Sequence, residues 1–319
     1  MKKIGLVILS FFLIQASYSQ SDTLIKKLDS LSQKTDSAGG QINNTDPKAY
    51  NESTQINFNT FFVLQWSNLK QAFTKPFHMS KQDWVKFGKF AVITGALALA
   101  DESIQKAALD LRDHNEGVRV IGKQVTNFGG TYEAYTLAAL GAYGFIFRKE
   151  KMQTTTLLAL QSYITGAAVE NVAKFISGRQ RPYAYNPKQK QPEPTFLGPF
   201  KNMYDAQGNK LNSSFPSGHT TVAFAAATVY AMEYKNKPWI PVLCYTSASL
   251  IGLSRITENK HWLTDVFVGA VLGHLIGRQV VNNYHRYAKL KSPKQAKNSV
   301  SFSLGYQQGI VTPGMVYRF

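Results

Sequence analysis

The sequence predicts an all-α fold, a helical bundle with a short β-hairpin at the C-terminus. Two observations predict the bundle and a third adds the hairpin. Between residues 82 and 287 the chain is a series of apolar segments broken by polar turns, and Ala, Gly, Ser and Thr recur through them, which suits close helix packing. No sustained apolar/polar alternation, the mark of a half-buried strand, occurs before residue 298. After it, Val300, Phe302, Leu304 and Tyr306 alternate with polar residues, a Gln-Gln-Gly turn follows, and Met315, Tyr317 and Phe319 alternate again.

In chain order, residues 1–19 have the layout of a secretory signal peptide. Lys2 and Lys3 form a basic start, Ile4 to Ile14 is an apolar run too short for a comfortable membrane span, and Ser17-Tyr18-Ser19 offers small residues for cleavage. The expected destination is a bacterial periplasm or cell surface, with an integral inner-membrane protein as the alternative. Residues 20–56 are rich in Ser, Thr, Gln, Asn and Asp and lack the apolar content for a core, so they are expected to form a solvated linker. The helical domain is expected over residues 57–290, followed by a basic linker and the hairpin over 291–319.

Within that domain Phe61, Phe62, Leu64, Trp66, Leu69 and Phe73 are dense enough to cover a core or rest on a membrane, and the aromatic residues of 58–90 are assigned to the core. Ser80-Lys81-Gln82-Asp83 resembles a capping box opening the next helix. Helices are expected near 82–100, 102–112, 133–147, 152–176, 219–235, 239–253 and 262–287. The stretch from Tyr183 to Phe215 is irregular and follows or contains prolines at 182, 187, 192, 194 and 199. A loop this long in a compact domain is either a functional lid or a solvated insert, and its place between two chemically loaded segments favours a lid.

Composition narrows the partners. Lys and Arg number 36 against 19 Asp and Glu, a formal charge of +17, which favours phosphorylated substrates and acidic headgroups. Nucleic acid is excluded, because export removes most targets and no binding motif is present. The mean hydropathy of −0.21 agrees with a soluble or peripheral bundle. The single cysteine, Cys244, lies in an apolar stretch and leaves no internal disulfide.

Three polar blocks stand at the edges of apolar segments, where charge is costly unless paired or used. They are Lys174 with Arg181-Pro182, then Pro216-Ser217-Gly218-His219, then Ser254-Arg255 with His261 and Asp265. A phosphate ester resists nucleophiles because its oxyanions repel them, so catalysis needs fixed positive charge around the oxygens. Lys174, Arg181 and Arg255 supply it, with the arginine fork suited to bidentate contact. Ser217 and the Gly218 amide add neutral donors, and a helix N-terminus following Ser217 faces the same anion. His261 is the candidate nucleophile, because Asp265 four positions on would lie on the same helical face and hold one ring nitrogen. His219 remains as general acid and then as base for water. Arg179 either leans into the pocket or faces solvent. His114, His274 and His285 read as ordinary polar positions. A metal site is disfavoured, since the three cations repel a divalent ion and no third ligand stands at suitable spacing.

The blocks K-x6-RP, PSGH and SR-x5-H-x3-D resemble the signature of the type 2 phosphatidic acid phosphatase and vanadium haloperoxidase superfamily, a likeness covering about residues 85 to 285. The resemblance implies a helical bundle in which Lys174, Arg181, Ser217, Gly218 and Arg255 bind the oxyanion, His219 is the acid, His261 the nucleophile and Asp265 its orienting group. It implies hydrolysis of phosphate monoesters or pyrophosphates, including those of lipids, with no cofactor and with vanadate as inhibitor. A vanadate-dependent haloperoxidase, with vanadate as cofactor, is the alternative, although family haloperoxidases are considerably longer chains. A non-catalytic binding protein on the same scaffold is the third class, against which the intact nucleophile, acid and cage argue.

Overall fold

The computed structural model describes residues 56–128, 131–184, 193–291, 299–307 and 310–318. The expected signal peptide and nearly all of the linker lie outside the described residues, as do 185–192 within the long loop and the terminal Phe319.

Nine α-helices are present among the described residues: α1 Phe58–Thr74, α2 Lys81–Ala98, α3 Asp101–His114, α4 Glu116–Phe128, α5 Thr131–Ile146, α6 Glu150–Ser177, α7 Gly218–Glu233, α8 Trp239–Thr257 and α9 Leu263–Lys291. The fold is an all-α bundle. Beyond it, β1 (Ser299–Gln307) pairs antiparallel with β2 (Ile310–Arg318), Gln307 opposite Ile310.

The helix α7 is the hub, packing most extensively on α9, then on α6 and α8. Its alanine-rich surface (Ala223, Ala225, Ala226, Ala227, Ala231) is buried all round, as expected of a helix enclosed by neighbours. On α9, Gly269, Gly273 and Gly277 recur at every fourth position and face the α7 backbone. A side chain at Gly273 would collide with the carbonyl oxygen of Thr221, so glycine is what allows the two backbones to approach. This contact brings the N-termini of α7 and α9 side by side, and Ser217 N donates to Asp265 O at 3.0 Å.

Local signals explain several ends. At Ser80 the capping box forms: Ser80 Oγ accepts from Asp83 N at 3.2 Å and Ser80 N donates to the Asp83 carboxylate at 3.1 Å. The helix α6 stops at Gly178, whose φ of 54° is left-handed, and a Cβ there would run into the backbone of Gly198. Lys174 is thereby placed in the last turn of α6, with Arg179 and Arg181 just beyond it.

Three features depart from expectation, the first being that α1, Phe58–Thr74, was not among the expected helices. Residues 116–128 form α4, which was not anticipated. The segment carries Gly117, Gly122 and several β-branched residues, a composition of weak helix propensity, and it is stabilised by capping from Asn115 (Val118 N to Oδ1, 3.1 Å) and by packing on α8. The assignment of the 58–90 aromatics to the core fails for most of them: Phe58, Trp66, Phe73, Phe77, Trp84 and Phe87 are exposed. The polarity of α1 is reversed. Its buried face is largely polar, with Gln65 donating to Thr165 (3.1 Å), Asn68 to Gln161 (3.3 Å) and Gln71 to Asn283 (2.9 Å), and aromatic side chains point outward.

Candidate active site

The three sequence blocks meet where the C-terminal ends of α6 and α8 adjoin the N-termini of α7 and α9. The segment 193–217 is tied in as well: Gln180 N donates to Thr195 O (2.9 Å), Arg181 N to Leu211 O (2.9 Å) and Ser214 N to Arg179 O (3.0 Å). This described part of the long loop is built into the site floor, with Phe196 stacked 5.0 Å from the Arg179 guanidinium. Of the expected lid, Tyr183 to Phe215, only 185–192 lie outside the described residues.

His261 precedes α9 instead of riding on it, and it is fully buried. Its Nδ1 lies 2.8 Å from the carbonyl oxygen of Ser214 and 3.6 Å from Asp265 Oδ2. A carbonyl only accepts, so Nδ1 carries the proton and Nε2 keeps its lone pair. The same-face contact expected between His261 and Asp265 is therefore a looser 3.6 Å approach, because the helix starts two residues after the histidine. Burial holds His261 down to about 3, with Asp265 pulling the other way and the Arg181 and Arg255 charges adding to the depression.

Asp265 sits in the first turn of α9, where its Oδ2 accepts from Trp262 N (2.9 Å), the N3-to-N-cap half of a capping box. The same oxygen accepts from Ser214 Oγ, and Oδ1 accepts from Arg179 Nη1 at 2.6 Å. Burial pushes this carboxyl up, but His261, Arg179 and Ser214 together hold it below its usual range. Arg179 takes neither of its two expected places: it is buried, and its Nη2 pairs with Asp101 at 2.6 Å.

Burial first, and then the charges of Arg255, His261, Lys174 and Arg181, hold His219 down to about 3. Arg181 is braced by Ser213 O (3.2 Å) and by Lys260 O (3.3 Å). Arg255 Nη1 donates to Thr126 Oγ1 (2.6 Å), while its buried Nε has no partner among the described residues. Ser217 is fully buried, with its Oγ accepting from Thr220 (2.8 Å). A Cβ on Gly218 would lie 2.8 Å from both Glu170 Oε1 and Lys174 Nζ, so a larger residue there would displace that ion pair.

Sequence reasoning missed Ser214, whose carbonyl and hydroxyl engage His261 and Asp265, and three charged members. Glu170 pairs with Lys174 at 2.6 Å, and the i,i+4 spacing on α6 was the available signal. Lys260 adds a further cation, its Nζ 4.5 Å above the Tyr183 ring and its charged form disfavoured by partial burial and by Arg255 and Arg181. Asp101, from α3, had no signal in the sequence at all. Of the histidines read as ordinary, His114 is exposed, His274 is bonded to Tyr245 (3.1 Å), and His285 is buried against Glu233 at 2.8 Å. Among the described residues no group of three or more His, Cys, Asp or Glu is arranged to hold a metal ion.

The arrangement sets the His219 and His261 imidazoles among the charges of Lys174, Arg181 and Arg255. The model of the PAP2 superfamily matches residues 155–288. The "Lipid A 1-phosphatase" of Porphyromonas gingivalis is 52% identical over 66 residues, 20% of this chain and 15% of that protein. The "Phosphatidylglycerophosphatase B" of Bacillus subtilis is 26% identical over 195 residues, 58% of this chain and 84% of that protein. Among solved structures, Aquifex aeolicus LpxE shares 25% identity, with 57% of this chain and 94% of that one covered at a TM-score of 0.42. The chain spans only 15% and 48% of the lengths of the first two curated relatives it matches.

Proposed function

Because residues 155–288 form a domain of the PAP2 superfamily, we propose that this chain is a phosphoric ester hydrolase acting on phosphate monoesters or pyrophosphates of lipids, through a phosphohistidine on His261. The observation that carries the proposal is the hydrogen bond from His261 Nδ1 to Ser214 O, which leaves Nε2 as the free nucleophile beside a converging set of cations. Lys174, Arg181, Arg255, Ser217 and the Gly218 amide hold the phosphoryl oxygens. The Nε2 lone pair forms the N–P bond as the bond to the leaving oxygen breaks, and His219 protonates that oxygen. His219 needs its proton for this step, and the negative charge of a bound phosphoryl group opposes the burial and the surrounding cations that lower its proton affinity. Water then attacks phosphorus, gives its proton to His219, and returns the bonding pair to Nε2.

The lipid substrate is supported by two features. The chain is similar to proteins named for lipid A and phosphatidylglycerol phosphate. The outward aromatic face and polar inner face of α1 also suit an apolar surrounding better than water, and Val242, Leu243, Leu250 and Leu253 are exposed on α8. Among the described residues α8 alone is long and apolar enough to cross a membrane. Membrane association on the exported side follows as part of the proposal.

The test is a phosphate-release screen of the full chain, with and without detergent, over phosphatidic acid, phosphatidylglycerol phosphate, undecaprenyl diphosphate, lipid A and p-nitrophenyl phosphate. Release from at least one lipid substrate is expected. Folded protein with no release from any of them, or with vanadate-dependent bromide oxidation in its place, would overturn the proposal.

A further inference from the structure

Three charged side chains lie behind the nucleophile with no access to water. Asp101 is 0% exposed, Arg179 2% and Asp265 0%. Arg179 bridges the carboxylates, Nη2 to Asp101 Oδ2 and Nη1 to Asp265 Oδ1, both at 2.6 Å. Asp101 also accepts from Thr264 N (2.9 Å) and Thr264 Oγ1 (2.6 Å), and Arg179 Nη1 reaches the same hydroxyl at 2.6 Å. Asp101 thus accepts three hydrogen bonds and satisfies a free amide at the N-terminus of α9. It comes from α3, outside the residues 155–288 that match the family model.

The charge count is the point of interest. An Arg179–Asp265 pair alone is neutral, and with Asp101 the buried cluster carries one net negative charge. A buried charge with no counterpart is costly, so it needs a use. His261, 3.6 Å from Asp265, supplies one. When Nε2 forms the N–P bond while Nδ1 keeps its proton, the ring acquires a formal positive charge, and the cluster and ring then sum to zero.

We propose that Asp101 is a positioning residue for this reaction: through Arg179 it fixes Asp265 and the start of α9, and it supplies the negative charge that balances the phosphorylated His261 ring. The proposal rests on the phosphohistidine reading. Its effect belongs to the transition state and intermediate, not to the binding of substrate, because Asp101 lies behind the histidine and away from the oxyanion cage.

The test compares wild type, Asp101→Asn, Asp101→Glu and the double variant Asp101→Asn/Arg179→Gln on p-nitrophenyl phosphate, with circular dichroism melts to establish folding. Asp101→Asn is expected to lower kcat by ~10-fold or more with KM within about two-fold, since it removes charge stabilisation of the transition state and spares the cage. Asp101→Glu keeps the charge and should retain more of kcat than Asp101→Asn. The double variant restores the net charge to that of Asp265 alone and should recover part of the kcat lost in Asp101→Asn; a purely structural role predicts further loss. A folded Asp101→Asn protein with kcat within two-fold of wild type, or a folded double variant worse than the single, overturns the proposal. If Asp101→Asn does not fold, Asp101→Glu decides: folded and active supports the proposal, while folded and inactive, or unfolded, overturns it. Wild-type protein inactive on every phosphate ester overturns the phosphatase reading and this proposal with it, whereas the other failures leave that reading intact.

Discussion

The carbonyl oxygen of Ser214 lies 2.8 Å from His261 Nδ1, closer than the 3.6 Å to the nearest oxygen of Asp265. The backbone therefore sets the ring tautomer, and the carboxylate acts mainly as a nearby charge whose own bonds go to Arg179, Ser214 Oγ and Trp262 N. Ser214 is held in turn by the hydrogen bond its backbone N–H donates to Arg179 O, so the first block, the loop before the second block and the third block lock one another.

Replacing His261 by Ala is expected to lower kcat by at least ~10³-fold with the fold intact, because no other group can take over as nucleophile. Acid-quenched and base-quenched turnover mixtures of wild type should differ, with base preserving a phosphoryl group on His261. Activity within ten-fold of wild type in well-folded His261→Ala protein would rule out the mechanism.

Turnover is expected to persist in EDTA and to be blocked by vanadate. The positive charge is already present as Lys174, Arg181 and Arg255, and vanadate adopts the five-coordinate geometry that such a cage stabilises in the transition state. Phosphate release with p-nitrophenyl phosphate measures both effects. Loss of activity in EDTA that zinc or magnesium restores would contradict the cage assignment.

Stability should fall as pH falls below about 6.5 and stay level above it, as far as the two site histidines are concerned. His219 and His261 are both lowered to about 3 in the folded chain, so between about 6.5 and 3 the unfolded chain binds more protons than the folded one. Melting temperatures measured at pH 7.5 and pH 5 should show the drop, and His261→Gln should make it smaller. An equal drop in the variant and wild type would show that His261 does not titrate as proposed.

Much of this was legible in the sequence. The all-α class, the capping box at Ser80, the end of α6 near Lys174 and the membership of the three polar blocks depend on local spacing and composition, which a linear chain displays. The unanticipated α4 and the inverted α1 depend on what each helix packs against, which it does not display. The aromatic residues of α1 look like a core until Gln65, Asn68 and Gln71 are seen to find buried partners on α6 and α9.

The site divides along the same line. Sequence alone determined which residue types stand beside Lys174, His219 and His261, because motif spacing is a property of the chain. Only the tertiary structure decided how they are held. Glu170 enters through its pairing with Lys174. Arg179 proves to be a buried bridge, and Asp101 reaches across 163 and 78 positions to Thr264 and Arg179. The energy of a buried charge depends on whichever groups surround it in three dimensions, and no spacing rule along the chain connects α3 to the start of α9.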